Sequence, residues 1–196
     1  SALAAGTQPA FHAELAHYSN EEFATVLWDL QKFFDSMSLE ELIKAACELG
    51  YPTVDLALGI QQHMAPRIVQ LNSACAKMIT ALRSMLAGCA QSVPFTRALL
   101  RKPVSNVLAQ IPLVKEPSHP HQPTAPLVRT VQISTFVDDV GQSALGTFAK
   151  ILEGMVDTSV AFARAMTSIH LTISSRSVVV SSNPKLALAI AVQVRR

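Results

Sequence analysis

Three groups of residues have side chains that could do chemistry, and the first two are a serine motif and a histidine pair. Gly141-Gln-Ser-Ala-Leu-Gly146 is close to the Gly-x-Ser-x-Gly turn that exposes a nucleophilic serine, but its second glycine comes one residue late, inside a helical pattern. Ser143 is therefore predicted to cap a helix. His119 and His121 lie in a proline-rich stretch without cysteine or carboxylate neighbours, so they predict no metal site.

The third group is a pair of adjacent carboxylates, Asp138 and Asp139, in a segment whose apolar spacing predicts a helix. Neighbouring residues of a helix point to different faces, so these side chains are not expected to form a carboxylate pair. Acidic residues in a first helical turn are favoured by the helix dipole. With no Cys-x-x-Cys, phosphate-loop or dinucleotide pattern in the chain, the sequence predicts no catalytic residue, no cofactor and no metal.

Basic residues give the clearest indication of a partner. Residues 1–60 have a net charge of −7, whereas residues 61–129 have a net charge of +7. A basic segment nearly free of acids is typical of a surface that contacts phosphates or an acidic protein, and it can equally be a solvated face balanced by the acidic end. The candidates for phosphate contacts with RNA are Arg67, Lys77, Arg83, Arg97, Arg101 and Lys102.

Arg97 and Arg101 form a distinctive pair within this set. Their four-residue spacing puts both guanidinium groups on one face of a helix. Guanidinium groups hold phosphates bidentately without reading the bases. Phe95 is the one aromatic residue nearby, so base stacking is not supported. The segment therefore predicts contacts with the phosphate backbone.

Apolar residues three and four apart predict helices along most of the chain. The sharpest signal is at Ser38, which forms a capping box with Glu41, and Gly50 ends that helix. Residues 174–182 fit either a strand or a loop. Helices are predicted at residues 20–34, 38–50, 52–64, 72–88, 95–102, 104–111, 136–155, 160–171 and 186–194.

The recurrence of these helices predicts an all-α fold of degenerate helical-hairpin repeats, α-solenoid-like, with an irregular helical bundle as the alternative. The helix at 72–88 aligns with the helix at 38–50 at an offset of 36 residues. Five prolines between Pro112 and Pro126 interrupt the helical pattern. The predicted organisation is a helical-hairpin repeat region at 1–111, a proline-rich linker at 112–126 and a C-terminal helical region at 127–196.

Three stretches resemble the units of organellar helical-repeat proteins. Residues 20–33, Asn-Glu-Glu-Phe-Ala-Thr-Val-Leu-Trp-Asp-Leu-Gln-Lys-Phe, are similar to the second helix of an octotricopeptide or heptatricopeptide unit. Residues 39–51 and 72–88 are similar to its Ala-Leu-x-x-Leu-Gly ending. The resemblance covers residues 19–111. It implies a relation to FAST-kinase-like and RAP-domain proteins, a location in the mitochondrial or plastid matrix, and a role on RNA or ribosomal assemblies.

Composition narrows the class further. Of the 196 residues, 49% are hydrophobic and only 15% charged, which is typical of a subunit that covers its surface with partners. No stretch of about 20 apolar residues occurs, so no membrane span is predicted. Cys47, Cys75 and Cys89 lie in apolar patterns and predict reduced, core-packed thiols. Trp28 is predicted to lie in the core.

These observations predict a non-catalytic helical-repeat subunit of a large organellar ribonucleoprotein, with a mitochondrial ribosome as the leading candidate. Its partners would be ribosomal RNA and neighbouring protein subunits, with no small-molecule substrate. The alternative is a protein-only scaffold in a respiratory or viral complex or in a homo-oligomer. The predicted location is the mitochondrial or another organelle matrix, with the cytoplasm as the alternative.

Overall fold

Helices and strands both contribute to the computed structural model, which describes residues 2–80, 83–115, 127–136 and 139–194. The elements in chain order are α1 (Ala2–Ser19), β1 (Glu22–Trp28), α2 (Phe33–Ser36), α3 (Leu39–Glu48), α4 (Thr53–Met64), β2 (Gln70–Leu71), β3 (Ala74–Cys75), α5 (Ser92–Gln110), β4 (Leu113–Lys115), β5 (Leu127–Arg129), β6 (Gln132–Phe136), β7 (Asp139–Gly146), α6 (Phe148–Ser168), β8 (Val178–Ser181) and α7 (Pro184–Val194).

A four-stranded antiparallel sheet organises the fold, and it overturns the predicted all-α class. Its strand order is β6-β7-β1-β8. The chain passes from β1 through α5 to the β6–β7 hairpin, then through α6 to β8, which is the split βαβ arrangement called ferredoxin-like. In the register, Trp28 of β1 lies opposite Val140 of β7, and Val140 lies opposite Thr135 of β6.

The segment at β1 illustrates why the prediction of a helix at 20–34 is wrong. Phe23 to Trp28 is a continuous apolar run broken only by Thr25, a pattern that fits a strand buried on both faces as well as a buried helix. Burial on both faces occurs here. The Trp28 ring lies 5.2 Å from Phe162 of α6, and the Phe23 ring lies 6.4 Å from His12 of α1 on the opposite face. The prediction that Trp28 belongs to the core is confirmed.

The predicted helix at 136–155 is wrong in its first half, because β7 occupies residues 139–146. Two glycines, Gly141 and Gly146, weaken a helix there by roughly 1 kcal/mol each. Buried Gln142 fixes the strand to α6, since its Oε1 atom accepts a 3.0 Å hydrogen bond from Ser159. Ser143 lies in the strand and caps no helix.

Several helix predictions are confirmed. The capping box at α3 is present, with Ser38 Oγ accepting from the backbone N–H of Glu41 at 3.4 Å. Gly50 follows that helix with φ +68°, a conformation that glycine adopts without strain. Helices are also found at the predicted positions of α4 and α7. The two short helices predicted around residues 95–111 form a single helix, α5, that contains Pro103.

The predicted helix at 72–88 is absent from the described part of that segment, residues 72–80 and 83–88. A small hairpin of β2 and β3 replaces its start, with Asn72 in the left-handed conformation at φ 54°. The 36-residue repeat therefore loses its second copy. The prediction of core-packed thiols is also wrong, because Cys47 and Cys75 are exposed and Cys89 is half-buried, although all three are free.

The predicted proline linker, 112–126, begins with a strand, β4, that pairs with β5 just after the linker. Leu113 of β4 lies opposite Arg129 of β5, and the residues between the two strands, 116–126, lie outside the described part of the chain together with His119 and His121. Strands from both sides of this segment share the main sheet, since β1 pairs with β7 and β8.

Candidate functional site

Two aspartates meet at one end of the main sheet. The ladder of β1 and β7 ends with Trp28 opposite Val140, and a continuation of this register by one residue would bring Asp29 opposite Asp139. Opposite residues of antiparallel strands have Cα atoms about 4.5–5.5 Å apart and point to the same face. Asp138, the other half of the Asp-Asp pair in the sequence, lies outside the described residues.

The alternation of side chains shows which face carries this pair. Trp28 of β1 and Gln142 of β7 contact α6, and side chains alternate between the two faces along each strand. Asp29, one residue from Trp28, and Asp139, three residues from Gln142, therefore face the opposite side of the sheet. On that side Leu27 is 45% exposed, and the Asp29 side chain is 40% exposed. The end of this face that carries Leu27 and Asp29 is therefore accessible to a ligand. We call this end the open face.

Gly141 keeps the open face flat beside the aspartates. A Cβ atom at this position would lie 2.9 Å from Ser134 Oγ and 3.8 Å from a methyl carbon of Leu27. The first of these contacts is too close for an ordinary side chain. Glycine at 141 thus lets the Ser134 side chain pack closely against the backbone of β7.

Asp29 is held in place by the loop that precedes β8. Its backbone N–H donates to Ser177 Oγ at 3.0 Å, and its carbonyl oxygen accepts from the N–H of Ser174 at 2.8 Å. The same loop carries Arg176, whose Nε atom lies 3.2 Å from Asp29 Oδ2. That carboxylate oxygen is buried and accepts no hydrogen bond from the described residues. Asp29 is therefore fixed in position by its backbone hydrogen bonds and by Arg176.

Carboxylate oxygens are the ligands that Mg²⁺ prefers in proteins, and one or two of them suffice because the ion keeps several waters. Asp29 and Asp139 meet that requirement. Within the described ranges no cluster of three or more His, Cys, Asp or Glu side chains could hold a metal. A cage of three or four protein ligands, as zinc takes, is therefore absent from that part of the chain.

The structure separates the six residues predicted to contact RNA. Arg67 is used inside the fold, where its Nη2 atom donates to the carbonyl of His63 at 2.7 Å. Lys102 pairs with Glu48 at 2.7 Å. Lys77 and Arg83 are exposed near the β2–β3 hairpin. The two residues brought together are Arg97 and Arg101, side by side on α5.

His63 is a buried titratable residue that the sequence analysis did not identify. It is 0% exposed, and its Nδ1 atom accepts a hydrogen bond from the backbone N–H of Leu86 at 3.0 Å. Burial lowers the pKa of His63 below its ordinary value, and the positive charge of Arg67 lowers it further. The neutral imidazole therefore stabilises the loop that follows the β2–β3 hairpin.

We expect the stability of the protein to fall in mild acid because of His63. The unfolded chain takes up a proton near the ordinary histidine pKa of about 6.5, whereas the folded chain does so only at lower pH. Stability is complete above about pH 6.5 and decreases as the pH falls through the window between the two pKa values. Urea unfolding from about pH 8 to about pH 5 measures this decrease.

The comparison that isolates this effect is His63→Gln, which keeps an acceptor for Leu86 but does not titrate. Its stability should decrease less steeply with acid than that of the wild type. Burial also lowers the pKa of His12, so His12→Gln is measured in parallel. Equal acid sensitivity of the wild type and His63→Gln would contradict the assignment.

The sequence analysis used Asp29 only in the net charge of residues 1–60 and placed Asp139 in a predicted helix. A signal for both was present. Phe23 to Trp28 and Ile133 to Val140 are rich in β-branched and aromatic residues, and such segments favour strands. An aspartate directly after the first strand, and aspartates between the next two strands, would have predicted that these side chains lie at one end of a sheet.

No protein-family model matches this chain, and the comparison with curated proteins finds no similar sequence. Among the described residues, none of the helices is long and apolar enough to cross a membrane. The fold and the site together define the class to which the chain is assigned. It is an α/β protein with an antiparallel split βαβ sheet and aspartates at one end of the two central strands.

Proposed function

We propose that this protein catalyses the metal-dependent transfer of a nucleotidyl group. The observation that carries the proposal is the register of β1 and β7, whose last pair, Trp28 and Val140, adjoins Asp29 and Asp139 at the same end of the sheet. A negative charge at this end of the sheet favours a nearby cation, and Arg176 provides one beside Asp29, at 3.2 Å from its Oδ2 atom. Divalent ions, if Asp29 and Asp139 held them there, would supply charge stabilisation for a phosphoryl transfer.

The residues of the chain provide rigidity and access. Asp29 is fixed through its backbone by Ser174 and Ser177, and Asp139 is fixed by its place in the β6–β7 hairpin. A site held by a sheet positions its ligands more precisely than a site on loops. In the reaction, a hydroxyl oxygen forms a bond to the α-phosphorus of a nucleoside triphosphate, the bond to the bridging oxygen breaks, pyrophosphate leaves, and the hydroxyl proton passes to water.

The shape of the site favours an extended substrate. Leu27 and Gly141 form a flat surface beside the aspartates. The other nucleic-acid mode of such sheets is base stacking on aromatic residues of the central strands. Leu27 and Gly141 cannot provide that stacking.

This proposal gives the chain a catalytic role that the sequence did not predict, and it retains RNA and protein subunits as proposed partners. The second candidate is the non-catalytic subunit of an organellar ribonucleoprotein. One observation favours it, namely that neither Arg97 nor Arg101 has a carboxylate within 4.0 Å among the described residues. Metal binding distinguishes the two candidates, because only the first requires it.

The test measures Mn²⁺ binding by electron paramagnetic resonance, with Mn²⁺ as the spectroscopic substitute for Mg²⁺. We expect binding to the wild type and binding weaker by more than about tenfold after Asp29→Asn, since even outer-shell partners of a metal contribute 10- to 100-fold. The same proteins are then given a primed template and labelled nucleoside triphosphates. Equal Mn²⁺ binding by both proteins, or no Mg²⁺-dependent incorporation by the wild type, would reject the proposal.

A further inference from the structure

A cavity lies at the outer edge of the main sheet, between α5 and β6, with a volume of about 360 Å³. Two apolar residues, Leu100 and Val104, line it. The polar residues that line it are Thr96, Arg97, Arg101, Ser105 and Thr135. Arg97, Arg101 and Ser105 follow one another at intervals of four along α5, so they form one stripe on the helix. The cavity therefore combines two guanidinium groups with several hydroxyl groups.

The charges in this cavity are not neutralised by the described residues. The ion pairs within the described ranges join Lys102 to Glu48 and Arg176 to Asp29, and neither involves Arg97 or Arg101. Thr96 adds a second, independent indication of a ligand. It is only 1% exposed, yet its hydroxyl oxygen has no hydrogen-bond partner in the described part of the chain. Buried hydroxyl groups without partners are uncommon and call for an explanation.

The position of the cavity relates it to the aspartates. Thr135 lies opposite Val140, and the next residue of β6, Phe136, lies opposite Asp139. Neighbouring strands are about 4.8 Å apart, so the cavity is one strand away from Asp139, on the other side of the sheet edge.

We infer that this cavity binds the backbone phosphates of a single nucleic-acid strand whose reacting end lies at Asp29 and Asp139. The inference rests on the proposed function. Arg97 and Arg101 hold phosphate oxygens, and the hydroxyl groups of Thr96, Ser105 and Thr135 donate to them. The contacts involve no bases, so binding is independent of sequence. RNA and DNA share this phosphate chemistry, and the experiment uses both.

The experiment compares the wild type with the double variant Arg97→Gln/Arg101→Gln. Binding of a labelled single-stranded oligonucleotide, as RNA and as DNA of the same sequence, is measured as a function of salt in the presence of EDTA. For single strands the logarithm of the binding constant falls by about 0.7 per phosphate contact and per unit of log salt. We expect the slope for the double variant to be shallower by about 1.4, for whichever of the two strands binds.

Arg164→Gln provides the matched control, since Arg164 is an exposed helical arginine that lies on α6, away from this cavity. It should leave the slope unchanged. An unchanged slope in the double variant, or an equal decrease in the control, would overturn the inference. The inference would also be overturned if an acidic protein bound at this cavity and no oligonucleotide competed with it. Because EDTA removes divalent ions, this result is independent of Mn²⁺ binding at Asp29, and the cavity and the metal site can fail separately.

Discussion

Replacement of Asp29 by asparagine should reduce Mg²⁺-dependent nucleotide incorporation by on the order of 10³-fold, the upper end of the effect of removing one electrostatic contact to a transition state. Asparagine has the same shape but no negative charge, so it cannot hold the cation against Asp139. The backbone hydrogen bonds of residue 29 with Ser174 and Ser177 do not involve the side chain and should persist. Incorporation is measured at saturating Mg²⁺ with a primed template.

The fold of this variant should be preserved. Its lost ion pair joins Asp29 to Arg176, whose side chain is 80% exposed, and exposed pairs contribute about 0–1 kcal/mol. Asp35→Asn is the matched control, because Asp35 is an exposed aspartate six residues along the chain, on α2. Incorporation should be unchanged in this control. If the Asp29→Asn protein keeps both its incorporation activity and its Mn²⁺ affinity, Asp29 is not part of the site.

Replacement of Phe162 by alanine is expected to cause the largest loss of stability, about 3–5 kcal/mol. Phe162 is 0% exposed, and its ring centre lies 5.2 Å from that of Trp28, the last residue of β1. The substitution removes buried apolar surface and leaves a cavity between α6 and the sheet. For a protein of this size the melting temperature should fall by roughly 6–20 °C, measured by circular dichroism.

Phe148→Ala is the control on the same helix. Phe148 begins α6 and is 37% exposed, so its loss should cost about 1 kcal/mol or less. Equal destabilisation by both substitutions would show that the contact between Trp28 and Phe162 does not hold α6 on the sheet. Because Trp28 directly precedes Asp29, the Phe162 variant should also bind Mn²⁺ more weakly at temperatures where it remains folded.

The sequence predicted the local elements whose signals are contained within a few residues. The capping box of Ser38 and Glu41 identifies α3 because both partners belong to the same turn, and the glycine that follows the helix is equally local. The helix at α7 follows from Asn183-Pro184 and the apolar residues after it. These predictions depend on contacts between near neighbours, so they survive whatever the rest of the chain does.

Segments with two compatible structures were predicted wrongly. The run from Phe23 to Trp28 is apolar at every position except Thr25, and such a run distinguishes a helix from a two-sided strand only through its partners. Those partners are Val140 and Val179, more than a hundred residues away in the chain. Periodicity carries no information about pairing at that distance, which explains why an all-α fold was predicted.

The candidate site shows the same division. The sequence by itself determined the residue types, including the paired arginines Arg97 and Arg101 and the adjacent aspartates at 138 and 139. It also determined that charge is scarce and separated by sign along the chain. Only the tertiary structure decided that Asp29 and Asp139 lie at the same end of the sheet. The physical reason is that a carboxylate pair across two strands is created by the register of backbone hydrogen bonds, and that register is set by the packing of distant segments.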